Sequence, residues 1–276
     1  MNFSRRGRAL AALVGPSALF LCLFFLLPLA FVLLQSFQGE NGAFSLHQYA
    51  SFLRSPRFLI VYGRTLKFGI MVTALSALLA YPASYALVRM DKGKRSVLMS
   101  IVILPLMTSP VARTYAWLVI LGRFGLINQL LRGLGITHEP ARLLYTQGAI
   151  VVGLAQLFLP LMVLSLVSAL ENIPPDSEEA ALSLGANRLT AFFRVILPLS
   201  ADGFILGSIL VFTGSITAYV TPAILGGTGV LTLATLMQQE ALVLMNWTDA
   251  TIIAVVMVLS TLVFYLVLRR LRPETA

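Results

Sequence analysis

Few side chains in this chain of 276 residues are equipped for chemistry. The two histidines, His47 and His138, are far apart and neither sits in an HExxH or HxH pattern, so no metal site is expected. Cys22 is the single cysteine and lies in an apolar run, where one thiol makes neither an internal disulfide nor a Cys-rich site. Gly93-Lys94 is followed by Arg95 and lacks the first glycine of GxxxxGK[ST], so there is no phosphate-cradling loop. The chain is therefore expected to be no enzyme, with no catalytic residue, no ATP hydrolysis of its own and no bound cofactor. What remains is sparse. Arg113 interrupts an apolar stretch, Tyr81, Tyr85, Tyr115, Trp117 and Tyr219 offer ring faces of the kind that attract cations, and Thr213, Ser215, Thr217, Tyr219 and Thr221 alternate along another stretch. Four of the 11 acidic residues, Glu171, Asp176, Glu178 and Glu179, cluster in one short segment.

The elements that must position these residues are set by composition. The chain is 58% hydrophobic and 11% charged, against about 25% charged residues in a soluble domain. Its uncharged stretches predict an all-α polytopic membrane protein, one domain over 1–276. Six spans are expected, at 9–37, 64–88, 96–121, 145–170, 201–224 and 250–268, each helical because lipid leaves the backbone no other partner. Arg113 makes the third span the ambiguous one, and Pro222 with Gly226 and Gly227 is expected to end the fifth. The first run is about twice the length of a signal h-region and is read as a retained span.

A net charge of +9, from 20 Lys and Arg against 11 Asp and Glu, raises the question of nucleic acid. Placement answers it. With the N-terminus in the cytoplasm, the inside segments hold Arg5, Arg6, Arg8, Arg89, Lys92, Lys94, Arg95, Arg188, Arg194, Arg269, Arg270 and Arg272, twelve of the 20. This is a positive-inside pattern with both termini cytoplasmic, and no basic face is left for nucleic acid. The expected partner of the spans is the lipid bilayer.

The inside loop 174–198 differs from the others because it is itself patterned. Pro174 and Pro175 stop the preceding span, Asp176 and Glu179 form a capping-box-like start, and a short helix is expected from about Ser177 to a turn at Gly185. Leu189, Phe192, Phe193 and Ile196 then recur at helical spacing. From the residues alone, an interfacial hairpin sealing the bundle and a docking surface fit this helix-turn-helix equally well.

Glu179-Ala180-Ala181, three residues, Gly185, nine residues, Val195, then Leu197-Pro198 resembles the EAA signature of the membrane subunits of binding-protein-dependent ABC importers. Val195 stands where that family usually has Ile. The resemblance implies a type I importer permease fold in a bacterial inner membrane, with 174–198 as the loop that couples to a cytoplasmic ABC ATPase dimer. It also implies a second, non-identical permease subunit and an extracytoplasmic solute-binding protein, with ATP used by the ATPase subunit alone. The segments Pro105–Trp117, Gly125–Gln129 and Ser215–Gly227, with Tyr81-Pro82, are similar to permeases of the spermidine/putrescine type, which makes a polyamine the expected solute. The same branch includes importers of amino acid relatives, phosphonates and ferric iron. A stand-alone channel or secondary transporter is the alternative of a different class, and it predicts a charge network or inverted repeats that this chain does not display.

Arg113, Tyr115, Trp117, Thr217, Tyr219 and Pro222 are the candidates for a translocation path or gate. Two readings of Arg113 stay open: it shapes the path, or it either reaches the outer interface or braces carbonyls at a helix break near Pro110.

Overall fold

The computed structural model describes residues 14–37 and 47–270. The beginning of the expected first span at Ala9, the three arginines before it and Arg272 lie outside the described residues. Among the described residues all regular structure is helical. In chain order the helices are α1 (14–36), α2 (His47–Leu53), α3 (Pro56–Val88), α4 (Lys92–Ile103), α5 (Pro110–Ile120), α6 (Leu126–Gly133) and α7 (Gln147–Glu171). They continue as α8 (Pro175–Ser183), α9 (Arg188–Leu199), α10 (Ala201–Thr217), α11 (Val220–Gly226), α12 (Leu233–Val243) and α13 (Trp247–Arg270).

Helices α1, α3, α7 and α13 are each long and apolar enough to cross a bilayer alone. Three further stretches qualify only as bent pairs: α4 with α5 at 96°, α9 with α10 at 68°, and α11 with α12 at 84°. The bends revise two expectations. The stretch 96–121 is not one helix, because the turn Leu104–Met107 tightens at Pro105, Thr108 is extended, and α5 starts afresh with Pro110 at its first position. The stretch 201–224 is also divided, and Pro222 does not end it. Helix α10 stops at Thr217 with Ala218 extended, and Pro222 lies in the first turn of α11, where its missing N–H leaves no hydrogen bond unmade.

The described residues form two compact units, one of Ile60–Leu236 with the chain from Met257, the other of the residues up to Leu59 with Met237–Val256. In the larger unit the core runs along α7, where Ile150, Leu154, Met162 and Leu166 are fully buried with Val211 of α10 and Leu225 of α11. Lipid supplies no hydrophobic drive for helices to associate, so close backbone approach must supply dispersion contact instead. Glycine provides it. A Cβ at Gly203 would lie 2.3 Å from Ala169 Cβ and 2.6 Å from Ser165 O, and one at Gly214 would lie 2.4 Å from the Phe158 ring. A Cβ at Gly153 would meet Leu225 and Thr221 at 2.7 and 2.8 Å, so α11 seats as tightly on the other half of α7. Two buried hydroxyls return to their own helices: Thr73 Oγ1 donates to Gly69 O (2.7 Å), and Ser215 Oγ to Val211 O (2.7 Å).

In the smaller unit none of the described side chains of α1 is buried. Arg57 Nη2 donates to Gln239 Oε1 (3.0 Å), and its Nη1 lies 3.7 Å from the buried carboxylate of Glu240. Asn246 caps α13, accepting from Asp249 N–H (3.1 Å) while its amide donates to the Asp249 carboxylate (2.9 Å).

Adding a methyl at Gly203 must displace backbone, whereas nothing lies within 4 Å of a Cβ at Gly63. Gly203→Ala is expected to lower the thermal unfolding midpoint in detergent, at a cost of about 1–3 kcal/mol. Gly63→Ala is expected to leave that midpoint unchanged or raise it, by about 1 kcal/mol at most. Equal midpoints for the two variants would contradict the packing described.

Candidate functional site: the hairpin at 174–198

The hairpin forms by local rules. Pro175 opens α8 at its first position, so the side-chain capping expected from Asp176 and Glu179 is absent: Asp176 sits inside the first turn, where its charge favours the positive end of the helix. At the other end Gly185 takes φ +90°, and two bonds close the helix, Gly185 N–H to Leu182 O (3.0 Å) and Ala186 N–H to Ala181 O (3.1 Å). This is a Schellman closure, and its left-handed residue favours glycine. Asn187 then caps α9, its Oδ1 accepting from Thr190 N–H (2.7 Å). Within α9 the turn Phe192–Ile196 is widened to a π-turn, with Leu197 N–H bonding Phe192 O. Pro198 explains the widening, because its ring would clash with the carbonyl of Arg194 in a regular helix.

The hairpin sits on the end of α3. Both oxygens of Glu178 are engaged there: Oε1 accepts from Tyr85 Oη (2.9 Å) and Oε2 pairs with Arg89 Nη2. The Arg89 guanidinium in turn lies 3.5 Å from the centroid of the Tyr85 ring. One turn further in, Ser200 Oγ donates to Leu197 O (3.1 Å), which makes Tyr81 Oη the donor in its 3.0 Å bond to Ser200 Oγ. The Phe192 ring stands edge-on between these levels, 5.9 Å from Tyr81 and 5.3 Å from Tyr85. A second ion pair, Arg95 with Glu171, ties α4 to the end of α7. A cavity of about 400 Å³ lies within this arrangement, lined by Arg89, Arg188, Glu178, Glu179, Leu182 and Ile196 among others.

The residues of the expected coupling signature divide by position. Glu179, Ala180 and Gly185 are exposed, Ala181, Val195, Leu197 and Pro198 are half-buried, and Leu184 and Phe193 are exposed at 90% and 60%. Glu179 and Leu184 thus stay exposed, while the adjacent acid, Glu178, carries the contacts to Tyr85 and Arg89. Sequence reading missed that role for Glu178, and with it Tyr85, Arg89 and the Asn187 cap. The available signal was the spacing of Tyr81, Tyr85 and Arg89, at i, i+4 and i+8, which places them on one helical face. Tyr85 no longer counts as a free face for a passing cation, since Arg89 covers it.

The candidates for a path lie on helices that meet. Thr114 of α5 bonds Thr221 of α11 (3.2 Å). Arg113 Nε and Nη1 are buried with no hydrogen-bond partner, Tyr115 is exposed, Trp117 is half-buried, Tyr219 is exposed at the break before α11, and Pro222 is buried. Thr217 Oγ1 returns to Thr213 O (2.7 Å). Among the described residues no side-chain hydrogen bond, ion pair or ring contact joins any two of these six.

The profile of the family described as "Binding-protein-dependent transport system inner membrane component" matches residues 73–275. The spermidine/putrescine transport system permease protein PotB of Haemophilus influenzae is 33% identical over 252 residues, covering 88% of each chain. The Escherichia coli protein of the same name is 29% identical over 264 residues, 92% of this chain and 96% of that one. Among solved structures, a chain of a bacterial alginate ABC transporter, in complex with its alginate pentasaccharide-bound periplasmic protein, superposes with a TM-score of 0.79 at 16% identity, covering 98% of this chain and 96% of that one.

A side chain at position 185 costs about 1–2 kcal/mol in the left-handed region, so Gly185→Ala is expected to speed hydrogen exchange of the Ala186 amide by about tenfold. Unaltered exchange there would remove the Schellman closure from the account.

Proposed function

Because the chain belongs to the family of binding-protein-dependent transport system inner membrane components, an inner-membrane, multi-pass permease family, we propose that it carries a polyamine such as putrescine or spermidine into the cytoplasm. The supporting observation is the 33% identity to a spermidine/putrescine permease across 88% of both chains. In this reading residues 1–276 form a single transmembrane domain with both termini in the cytoplasm. It works beside a non-identical sister permease, a cytoplasmic ABC ATPase dimer and an extracytoplasmic solute-binding protein.

The loop 174–198 is the docking surface for the ATPase. Its outer face offers what a protein cleft requires: small Ala180 and Ala181 for close approach, the exposed carboxylate of Glu179 for a basic side chain, and exposed Leu184 at the turn. ATP-driven closure of the motor moves the hairpin and shifts the spans between inward-open and outward-open arrangements. That shift requires the motor to bind the two arrangements with different affinity. The solute-binding protein selects the solute, so the path through Arg113, Tyr115, Trp117, Thr217, Tyr219 and Pro222 works as a weak passage and gate.

One observation favours a second solute class. The partnerless buried guanidinium nitrogens of Arg113 suit an anionic or zwitterionic solute such as a phosphonate or an amino acid relative.

Uptake into proteoliposomes holding the complete importer decides between them. Labelled putrescine or spermidine is expected to enter only with ATP, the ATPase and the binding protein present, and amino acids or phosphonates are expected not to compete. Entry of a labelled amino acid or phosphonate, with no polyamine entry, would overturn the polyamine assignment. Gly185→Asp is expected to reduce uptake at least tenfold, and normal uptake by that variant would remove the loop from the coupling role.

A further inference from the structure

We propose that α3 is a connecting rod, gripping the hairpin at one end and the broken stretch between α11 and α12 at the other, so that motion of the hairpin is delivered across the membrane through this helix. The proposal rests on the reading of 174–198 as the ATPase docking loop and deepens it, since the loop is joined covalently to α7 and α10 and not to α3.

The near grip has three levels, two on α3 and the third on the turn residue that follows it. Tyr81 bonds Ser200 at the foot of α10, Tyr85 meets the Phe192 ring edge and the Glu178 carboxylate, and Arg89 pairs with that same carboxylate. Glu178 holds both levels nearest the turn, which makes it the positioning residue of the hairpin. The far grip lies about 30 Å away, taking twenty residues at about 1.5 Å each, which is about the thickness of a hydrocarbon core. There Thr65 Oγ1 accepts from Leu233 N–H (2.9 Å), and Arg64 Nη1 donates to Leu231 O (3.2 Å). Both contacts fall on backbone groups at the start of α12, where the 84° bend leaves N–H and C=O groups that no helix satisfies. Between the grips α3 has no break: Pro82 lies inside the helix without ending it, and Gly69 is pressed against Phe212 of α10. A helix held at both ends transmits displacement because its own hydrogen bonds resist compression, whereas the breaks at Thr108, Ala218 and 230–232 act as hinges.

The test uses the complete importer in proteoliposomes, with solute uptake and ATP hydrolysis measured together. Glu178→Gln, Arg89→Gln and Thr65→Val are each expected to retain ATPase binding and hydrolysis while solute moved per ATP falls at least fivefold. Glu178→Asp is expected to retain part of the coupling, and the charge-exchanged pair Arg89→Glu with Glu178→Arg to recover it. Recovery separates a transmission role from simple loss of folding. In a Cys22→Ser background, Arg89→Cys with Glu178→Cys is expected to be uncoupled until a short bifunctional thiol reagent joins the two positions, and joining should then restore transport. Normal coupling in the single variants, or no recovery of transport on joining, overturns the rod while leaving the docking reading intact. Failure of the unaltered chain to bind any ATPase overturns the docking reading itself, and the rod with it.

Discussion

Hydrocarbon offers no hydrogen bond, and every backbone N–H and C=O placed in it must be satisfied by the protein. The long helices follow directly, but the constraint is more instructive where helices stop. At the break before α12, Leu233 N–H finds Thr65 Oγ1 and Thr232 N–H finds Thr235 Oγ1 (2.8 Å). At the end of α11, Leu225 O accepts from Tyr145 N–H (2.9 Å), and the turn before α5 is held by Thr108 Oγ1 on Pro105 O (2.8 Å). Each interruption is therefore also a tertiary or local attachment. The same chemistry that permits a bend decides what the bend is fastened to, and this is how a chain so poor in charge acquires a specific arrangement.

Against that background the charged residues are few enough to be read one by one. Glu178 and Arg89 join the hairpin to the end of α3, Glu171 and Arg95 join the end of α7 to α4, and Arg57 and Glu240 meet within the smaller unit. Arg113 stands apart, with two guanidinium nitrogens buried and unbonded. A charge so placed repels a passing cation unless an acid answers it. The polyamine proposal and Arg113 are therefore in tension.

Much of the hairpin was readable in advance because its signals are local. Gly185 needs no partner to demand a turn, and the recurrence of Leu189, Phe192 and Phe193 is a property of one short helix. The choice between Glu178 and Glu179 was not readable. Adjacent residues differ by about 100° around a helix, and which one faces inward depends on α3, more than ninety positions earlier. Glu240 escaped for the same reason, since its partner Arg57 is remote in sequence. Pro222 misled in a different way: a proline announces a discontinuity, but the same missing N–H suits the first turn of a new helix as well as the end of an old one. The side of the break is settled by Ala218, whose extended conformation no propensity marks.

The central claim is that the outer face of the hairpin meets the motor. In a Cys22→Ser background, a single cysteine introduced as Leu184→Cys and treated with a thiol-to-amine reagent in native membranes should join this chain to the ATPase. Ile136→Cys, exposed in a loop assigned to the opposite side, should not. Linkage from position 136 with none from position 184 would contradict both the docking surface and the orientation of the chain.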